Sequence, residues 1–204
     1  MSGCALGKDQ IQRAIDFHGH WCPGLAIGIR AGERALQEVG SAVDEEVVAV
    51  VETDMCGVDA IQVLTGCTFG KGNLIHKDYG KKAFTFYRRS DDKAVRLVFN
   101  EDKIGGHNEE LTSLHKKMAA GALTPEDRRR LEQLRDEWSD RIMAADLDDV
   151  FDVKPAEAPV PHKARIMESL ICDSCGEATM ESRTRNYMGQ TLCLPCYERL
   201  EKRF

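Results

Sequence analysis

"FHGHWCPGLAIGIRAGERALQEVG", residues 17–40, governs how the first half of the chain folds. Pro23 has a fixed φ and no amide hydrogen, so it suits the first position of a helix rather than an interior one. The residues after it read as a helix that ends at Gly40. Gly28 and Gly32 lie four apart within it and leave room for another backbone to pack closely. Pro23 also disfavours helical torsions at Cys22, which makes Cys22 the helix N-cap. The residues before it are expected to be extended, so that His18, His20 and Cys22 point to one side. A thiol at a helix start feels the positive end of the dipole, which favours the thiolate. Neighbouring imidazoles would bind a soft cation or assist proton transfer. The plainer alternative is a buried cysteine with hydrogen-bonded histidines at a helix boundary, and residue types alone do not separate the two.

On either side of this stretch the periodicities change. Ile11, Ala14, Ile15 and His18 share a helical face from about residue 9. "EVVAVVETD" (46–54) is a β-branched run and reads as a buried strand. "VDAIQVLTG" returns to helical spacing and stops at Gly66. "KAFTFYRR" and "AVRLVFN" read as a β-hairpin around "SDDK". An αα-hairpin follows over 108–146, with one stripe through Leu111, Leu114 and Met118. A second stripe runs through Leu131, Leu134, Trp138, Ile142 and Ala145. Thr124, Pro125 and Asp127 form the start signature of the second helix. Its charged outer face is read as a solvated surface. These elements make an α+β core over residues 1–150.

The second informative stretch is "DMCGVDAIQVLTGCTFGKGN", residues 54–73. Cys56 follows the strand, where open α/β sheets place ligands. Asp59 and Gln62 lie three apart on one helix face and would orient a ligand. Cys67 opens a loop in which glycines, Gly70 among them, permit close backbone approach and Lys71 offers a positive charge. It is not a Walker A loop, because its glycine spacing is one short and Gly72 replaces the Ser/Thr. An ordinary tight turn is the competing reading.

"FDVKPAEAPVPHK" contains Pro155, Pro159 and Pro161, has no amphipathic period, and reads as an extended linker over 151–165. Beyond it, over 166–204, Cys172 and Cys175 pair with Cys193 and Cys196 in a C-x2-C…C-x2-C pattern with seventeen residues between the pairs. This is the spacing of a four-thiolate zinc site. A helix starting at the second pair points to a treble-clef-like finger, whose metal would supply much of its folding free energy.

With 28 Lys+Arg against 34 Asp+Glu, the net charge of -6 argues against strong non-specific nucleic-acid binding. From residue 163 onward seven basic residues meet six acidic ones, so the finger has no basic surplus either, although Arg183 and Arg185 form a local pair. No apolar run approaches a membrane span and the N-terminus has no hydrophobic signal segment, so a cytoplasmic protein is expected. The paired cysteines then favour metal over disulfides. Cys4 is expected to be an untethered terminal residue. His76, His107, His115 and His162 lack motif partners and are given surface or structural roles.

Taken together, "FHGHWCPG", "CGVDAIQVLTGCTFGKGNL" and "DYGKKAFTFY" resemble FmdE, the family of formylmethanofuran dehydrogenase E subunits. The resemblance covers most of residues 8–100, and the chain is similar to a longer form of that family with a C-terminal treble-clef zinc finger. It implies an α+β core that forms tightly intertwined homodimers, with an active or metal site near the dimer interface. The motif residues it carries over are His18, His20, Cys22, Cys56, Asp59, Gln62, Cys67, Thr68, Lys71 and Lys81. The family takes its name from a molybdenum or tungsten enzyme that fixes carbon dioxide onto methanofuran. FmdE is not the catalytic core of that enzyme, so the activity is not carried over.

The expected cofactors are a structural zinc in the finger and a second zinc or other transition metal in the core, held by His18, His20, Cys22, Cys56 and Cys67. Three functions follow. The first is a metal-binding protein that carries, senses or uses its core metal on a small molecule. The second is a regulatory protein whose finger contacts a protein or, against its charge, a nucleic acid. The third is a thiol enzyme with Cys22 as nucleophile, and His20, Asp59 and Lys71 as further catalytic candidates.

Overall fold

Pro23 opens a helix as the sequence requires: α2 spans Pro23–Glu38, with Cys22 at its N-cap in extended geometry. The computed structural model describes residues 3–42, 44 and 46–202. Helix α1 (Lys8–His18) precedes α2 and ends at Gly19, whose left-handed φ of 90° reverses the chain. Strand β1 (Val47–Val51), helix α3 (Gly57–Thr65) and strand β2 (Leu74–His76) form a β–α–β unit in which β1 and β2 run parallel. Strands β3 (Ala83–Arg88) and β4 (Lys93–Phe99) make the expected hairpin, with Asp92 taking a left-handed φ of 55° at the turn. The helical hairpin consists of α4 (Glu109–Ala119) and α5 (Pro125–Ala144), followed by the short α6 (Leu147–Val150) and strand β5 (Phe151–Lys154).

The five strands are ordered β2-β1-β3-β4-β5. Their alternation sorts residues onto two faces. Val47, Ala49, Val51, Phe84, Phe86, Leu97 and Phe99 face the helices and form the main core with Ile27, Ile61, Ile142 and Phe151. Val48, Val50 and Tyr87 face the other way.

The linker expectation needs correction at its start. Phe151–Lys154 pair with β4 and complete the sheet, with Phe151 buried edge-on against Phe99. The nearby prolines hide this short strand. The residues after it are extended but not free: Ala156 and Val160 pack on the outer sheet face, and Arg89 donates to the carbonyls of Pro161 and His162. Pro155, Pro159 and Pro161 lack the amide hydrogens to extend the sheet, so this segment lies across it as a strap.

Helices α2 and α3 cross at glycines. A Cβ on Gly28 would sit 2.1 Å from the carbonyl oxygen of Gly57, and one on Gly57 would sit 2.8 Å from that of Gly24. Beneath α2, the fully buried Arg30 pairs with Glu33 at 2.9 Å and donates to the carbonyl of Met143 at the end of α5. Glu33 in turn accepts from the amide of Ala5. Cys4 is therefore not a loose terminal residue. Its amide donates to the Met143 carbonyl at 2.9 Å, and burial pushes its thiol up to about 11.

The expected hairpin stripe also divides. Leu111, Leu114, Leu131 and Leu134 form their own small core, while Trp138 and Ile142 join the main one. Met118 remains largely exposed, in contact with Arg135.

The chain divides into a second compact unit after Lys163. It contains the hairpin β6 (Ser169–Ile171)–β7 (Ala178–Met180), the hairpin β8 (Thr184–Tyr187)–β9 (Gln190–Cys193), and helix α7 (Leu194–Glu201). Two hairpins and a helix carrying the second cysteine pair form the treble-clef-like arrangement. Among the described residues, no helix is long and apolar enough to cross a membrane.

Candidate metal centre

The glycine crossing of α2 and α3 brings two helix starts together, each bearing a cysteine at its N-cap. Cys22 accepts a hydrogen bond from the Leu25 amide, with Sγ at 3.4 Å. A Cβ on Gly24 would approach Cys56 Cβ to 3.1 Å, so this position also keeps the two starts close. Single donor atoms of His18, His20, Cys22 and Cys56 all lie within 4.8 Å of one another.

The histidines do not arrive as an extended strip. His18 is the last residue of α1, and the left-handed turn at Gly19 carries the chain on to the exposed His20. Their rings lie 4.4 Å apart between centroids. The convergence expected from alternation is thus achieved by a helix end and a turn.

Asp59, on the first turn of α3, lies 2.7 Å from His18 Nδ1. A carboxylate only accepts, so Nδ1 carries the hydrogen, and in the neutral imidazole Nε2 is the nitrogen left to act as a ligand. That Nε2 lies 3.8 Å from Cys22 Sγ, near the roughly 3.6 Å separating sulfur and nitrogen on a tetrahedral zinc. A carboxylate behind a ligating imidazole is the usual outer support of a metal site. Burial, and then the neighbouring Cys22, push the Cys56 thiol up. A cation between the two sulfurs would offset that cost. The donor set therefore fits a thiophilic divalent ion.

A cavity of about 380 Å³ adjoins His18, Asp59 and Cys56. Val51 and His76, the last residues of β1 and β2, line it, so it lies beyond the carboxyl ends of the parallel pair. Phe69 from the glycine loop and the aliphatic Val58 and Leu74 make much of its wall. His76 has no motif partner in the sequence and is not expected in a site. Only the pairing of β2 with β1 brings it here.

The structure does not bring Cys67 to this cluster. Cys67 and Cys56 lie at opposite ends of α3, whose nine residues span about 13 Å. Cys67 is fully buried in the main core, donates to the Val47 carbonyl at 3.4 Å, and has its thiol pushed up by burial. The loop after it is held by its own contacts. Thr68 accepts from the Lys71 amide, Lys71 Nζ donates to the Asp44 carbonyl, and Gln62 accepts from the Phe69 amide. A Cβ on Gly70 would meet nothing within 4 Å, so close backbone approach does not explain it. Lys81 is on the other side of the sheet, its Nζ 5.9 Å from the centre of the Tyr79 ring.

The four finger thiols form the second cluster, again within 4.8 Å of one another. Cys175 and Cys193 Sγ lie 3.9 Å apart, against the roughly 3.8 Å edge of a zinc–thiolate tetrahedron. Amides of Cys193 and Cys175 hold Cys172 down at about 6. Cys196 is lowered by Ser174 first, and also accepts from Arg199 at 2.8 Å. Although the Glu177 amide favours its thiolate, Cys175 is pushed up to about 12 by desolvation and its sulfur neighbours. Four thiols that cannot all ionise alone fit a site built around zinc.

A profile of the family described as "FmdE, molybdenum formylmethanofuran dehydrogenase operon" matches residues 17–152. The chain belongs to the FmdE family. The "prokaryotic dksA/traR C4-type zinc finger" matches residues 166–202, so this FmdE protein carries a structural zinc finger and is a metal-binding protein. A "probable S-adenosyl-L-methionine-binding protein" of Archaeoglobus fulgidus is 34% identical over 192 residues, 90% of this chain. The chain spans about half of that relative, 51% of its length. A solved structure of a tungsten formylmethanofuran dehydrogenase FmdE-like protein from Syntrophus aciditrophicus superposes with a TM-score of 0.60 at 23% identity. The match covers 96% of this chain and 94% of that one, and the likeness is one of fold.

Proposed function

We propose that this FmdE protein uses its core cluster to hold a transition metal, with zinc the best match, and binds a small molecule at it. Cys22, Cys56 and His18 would be the protein ligands, His20 an exchangeable fourth, and Asp59 the group that orients His18. One observation carries the reading: four soft donors converge at two helix starts beside a cavity of about 380 Å³. A bound metal of this kind supplies a Lewis acid with a position open to a ligand. The chain's own residues supply the rest. Phe69 and the aliphatic wall offer contact to the ligand's apolar part, and His76 and Asp54 offer polar contacts across the cavity.

S-adenosylmethionine is the first ligand to test, because the name of the Archaeoglobus relative supports it. The acidic Asp54 and Asp59 and the exposed ring of Phe69 suit a sulfonium and a purine. The same reading takes the chain as the intertwined homodimer that the family resemblance implies.

Metal analysis of the full chain tests the core. Two metal ions per chain are expected, falling to one in Cys22→Ser and in Cys56→Ser. Cobalt substitution should give a thiolate charge-transfer band lost with the same variants. One metal per chain, unchanged by both substitutions, would refute the metal reading and leave Cys22 to be tested as a free nucleophile.

A further inference from the structure

The outer face of the main sheet carries a second cavity, of about 520 Å³, separate from the metal centre. Its floor is β1, β3 and β4, and its walls are the β2–β3 connection and the start of the strap. Positions on this face near the strap are apolar, as Val48 and Val160 are. Within the cavity the floor also presents Thr85 and Tyr87, only 4% and 3% exposed, beside Val50 and Val98. Neither hydroxyl has a hydrogen-bond partner among the described residues. Burial pushes the Tyr87 phenol up, so it stays a donor at neutral pH. Both hydroxyl oxygens open to the cavity rather than being sealed from it, so they can donate to a water or a ligand there.

The charge around this floor points to the kind of ligand. Glu52 is buried, and Arg96 neutralises it through Nε and Nη2, each 3.0 Å from a carboxylate oxygen. Arg96 Nη1 is left without a partner among the described residues. Lys77, Lys81 and Lys154 stand on the rim and form no salt bridge among the described residues, although Lys154 also feels the Asp152 carboxylate, and Glu157 is the one acid in the lining besides Glu52. The lining thus has a surplus of two positive charges in a chain whose net charge is -6.

We propose that this groove binds a small polyanion, a phosphate ester or a polycarboxylate. Its charged group would sit between the rim lysines, and its oxygens would accept from Thr85, Tyr87 and Arg96. Ammonium groups on a rim above hydroxyl and guanidinium donors are the combination that such oxyanions require. The site does not depend on the metal reading, because it shares no lining residue with the metal-side cavity.

The test is an amide NMR titration of the zinc-loaded full chain with inorganic phosphate and, separately, with malonate. Saturable shifts confined to Lys77–Lys81 and Thr85–Tyr87 are expected with at least one probe, and the preferred probe identifies the anion class. Lys81→Ala, on the exposed rim, should weaken that binding about tenfold, the loss of one charge-assisted contact. Thr85→Val with Tyr87→Phe should weaken it similarly, while Cys22→Ser should leave it unchanged. The proposal is overturned by no saturable binding of either probe, by shifts spread over surface lysines, by affinity that ignores both sets of substitutions, or by binding that Cys22→Ser abolishes.

Discussion

Asp59 determines which nitrogen of His18 faces the cysteines, so its removal is a sharper test than removal of a ligand. Asp59→Ala should leave the fold intact and weaken core metal binding by about 10–100-fold, read by competition with a chromophoric chelator. Unchanged affinity would mean that the 2.7 Å contact is only structural. Cys4 gives an opposite kind of prediction. Its thiol is pushed up to about 11 by burial, so it stays protonated far above neutral pH. Iodoacetamide at pH 8 should leave Cys4 unmodified in the folded protein and modify it after denaturation, as peptide mass mapping would record. In the sequence, Cys4 and Cys67 look as available as Cys22, because reactivity follows burial and neighbours rather than residue type.

Among the elements, the α2–α3 crossing controls both stability and the site. Gly28→Ala would put a methyl group 2.1 Å from a backbone oxygen, and no side-chain rotation relieves that clash. A loss of at least about 3 kcal/mol is expected by denaturant titration, with core metal lost as Cys22 and Cys56 separate. Spacing makes Gly28 legible as a packing glycine, but not its partner Gly57. The α4–α5 hairpin carries a pH signature. Lys117 first, then the Thr124 cap, hold Asp127 down at about 2, against an ordinary value of 3.8. A depressed carboxyl stabilises the fold above its ordinary value and loses that contribution as the pH falls through its folded value. Hydrogen exchange in the first turns of α5 should therefore accelerate as pH falls from 3.8 toward about 2, after correction for intrinsic rates. Asp127→Asn should remove this dependence.

Across the chain as a whole, the two compact units should respond differently to metal removal. A strong chelator should unfold the finger, whose small apolar cluster is built around three of its own ligands, Cys172, Cys193 and Cys196. The five-stranded unit, with a continuous core of its own, should keep its secondary structure. Circular dichroism and hydrogen exchange before and after chelation would check this, and loss of both units together would contradict it. Local signals are readable directly: Pro23 marks a helix start, Asp92 a hairpin turn, and two Cys-x-x-Cys pairs a zinc finger, since each depends on residues adjacent in the chain. Strands β2 and β5 are not readable, because three or four residues beside glycines or prolines carry too little periodicity, and pairing with β1 and β4 is what makes them strands. Residue type and spacing are enough to say which side chains are suited to hold a metal. That Cys56 joins Cys22 while Cys67 does not is settled only by three-dimensional packing, because the two cysteines flank one helix about 13 Å long and the glycine crossing with α2 decides which of its ends meets Cys22.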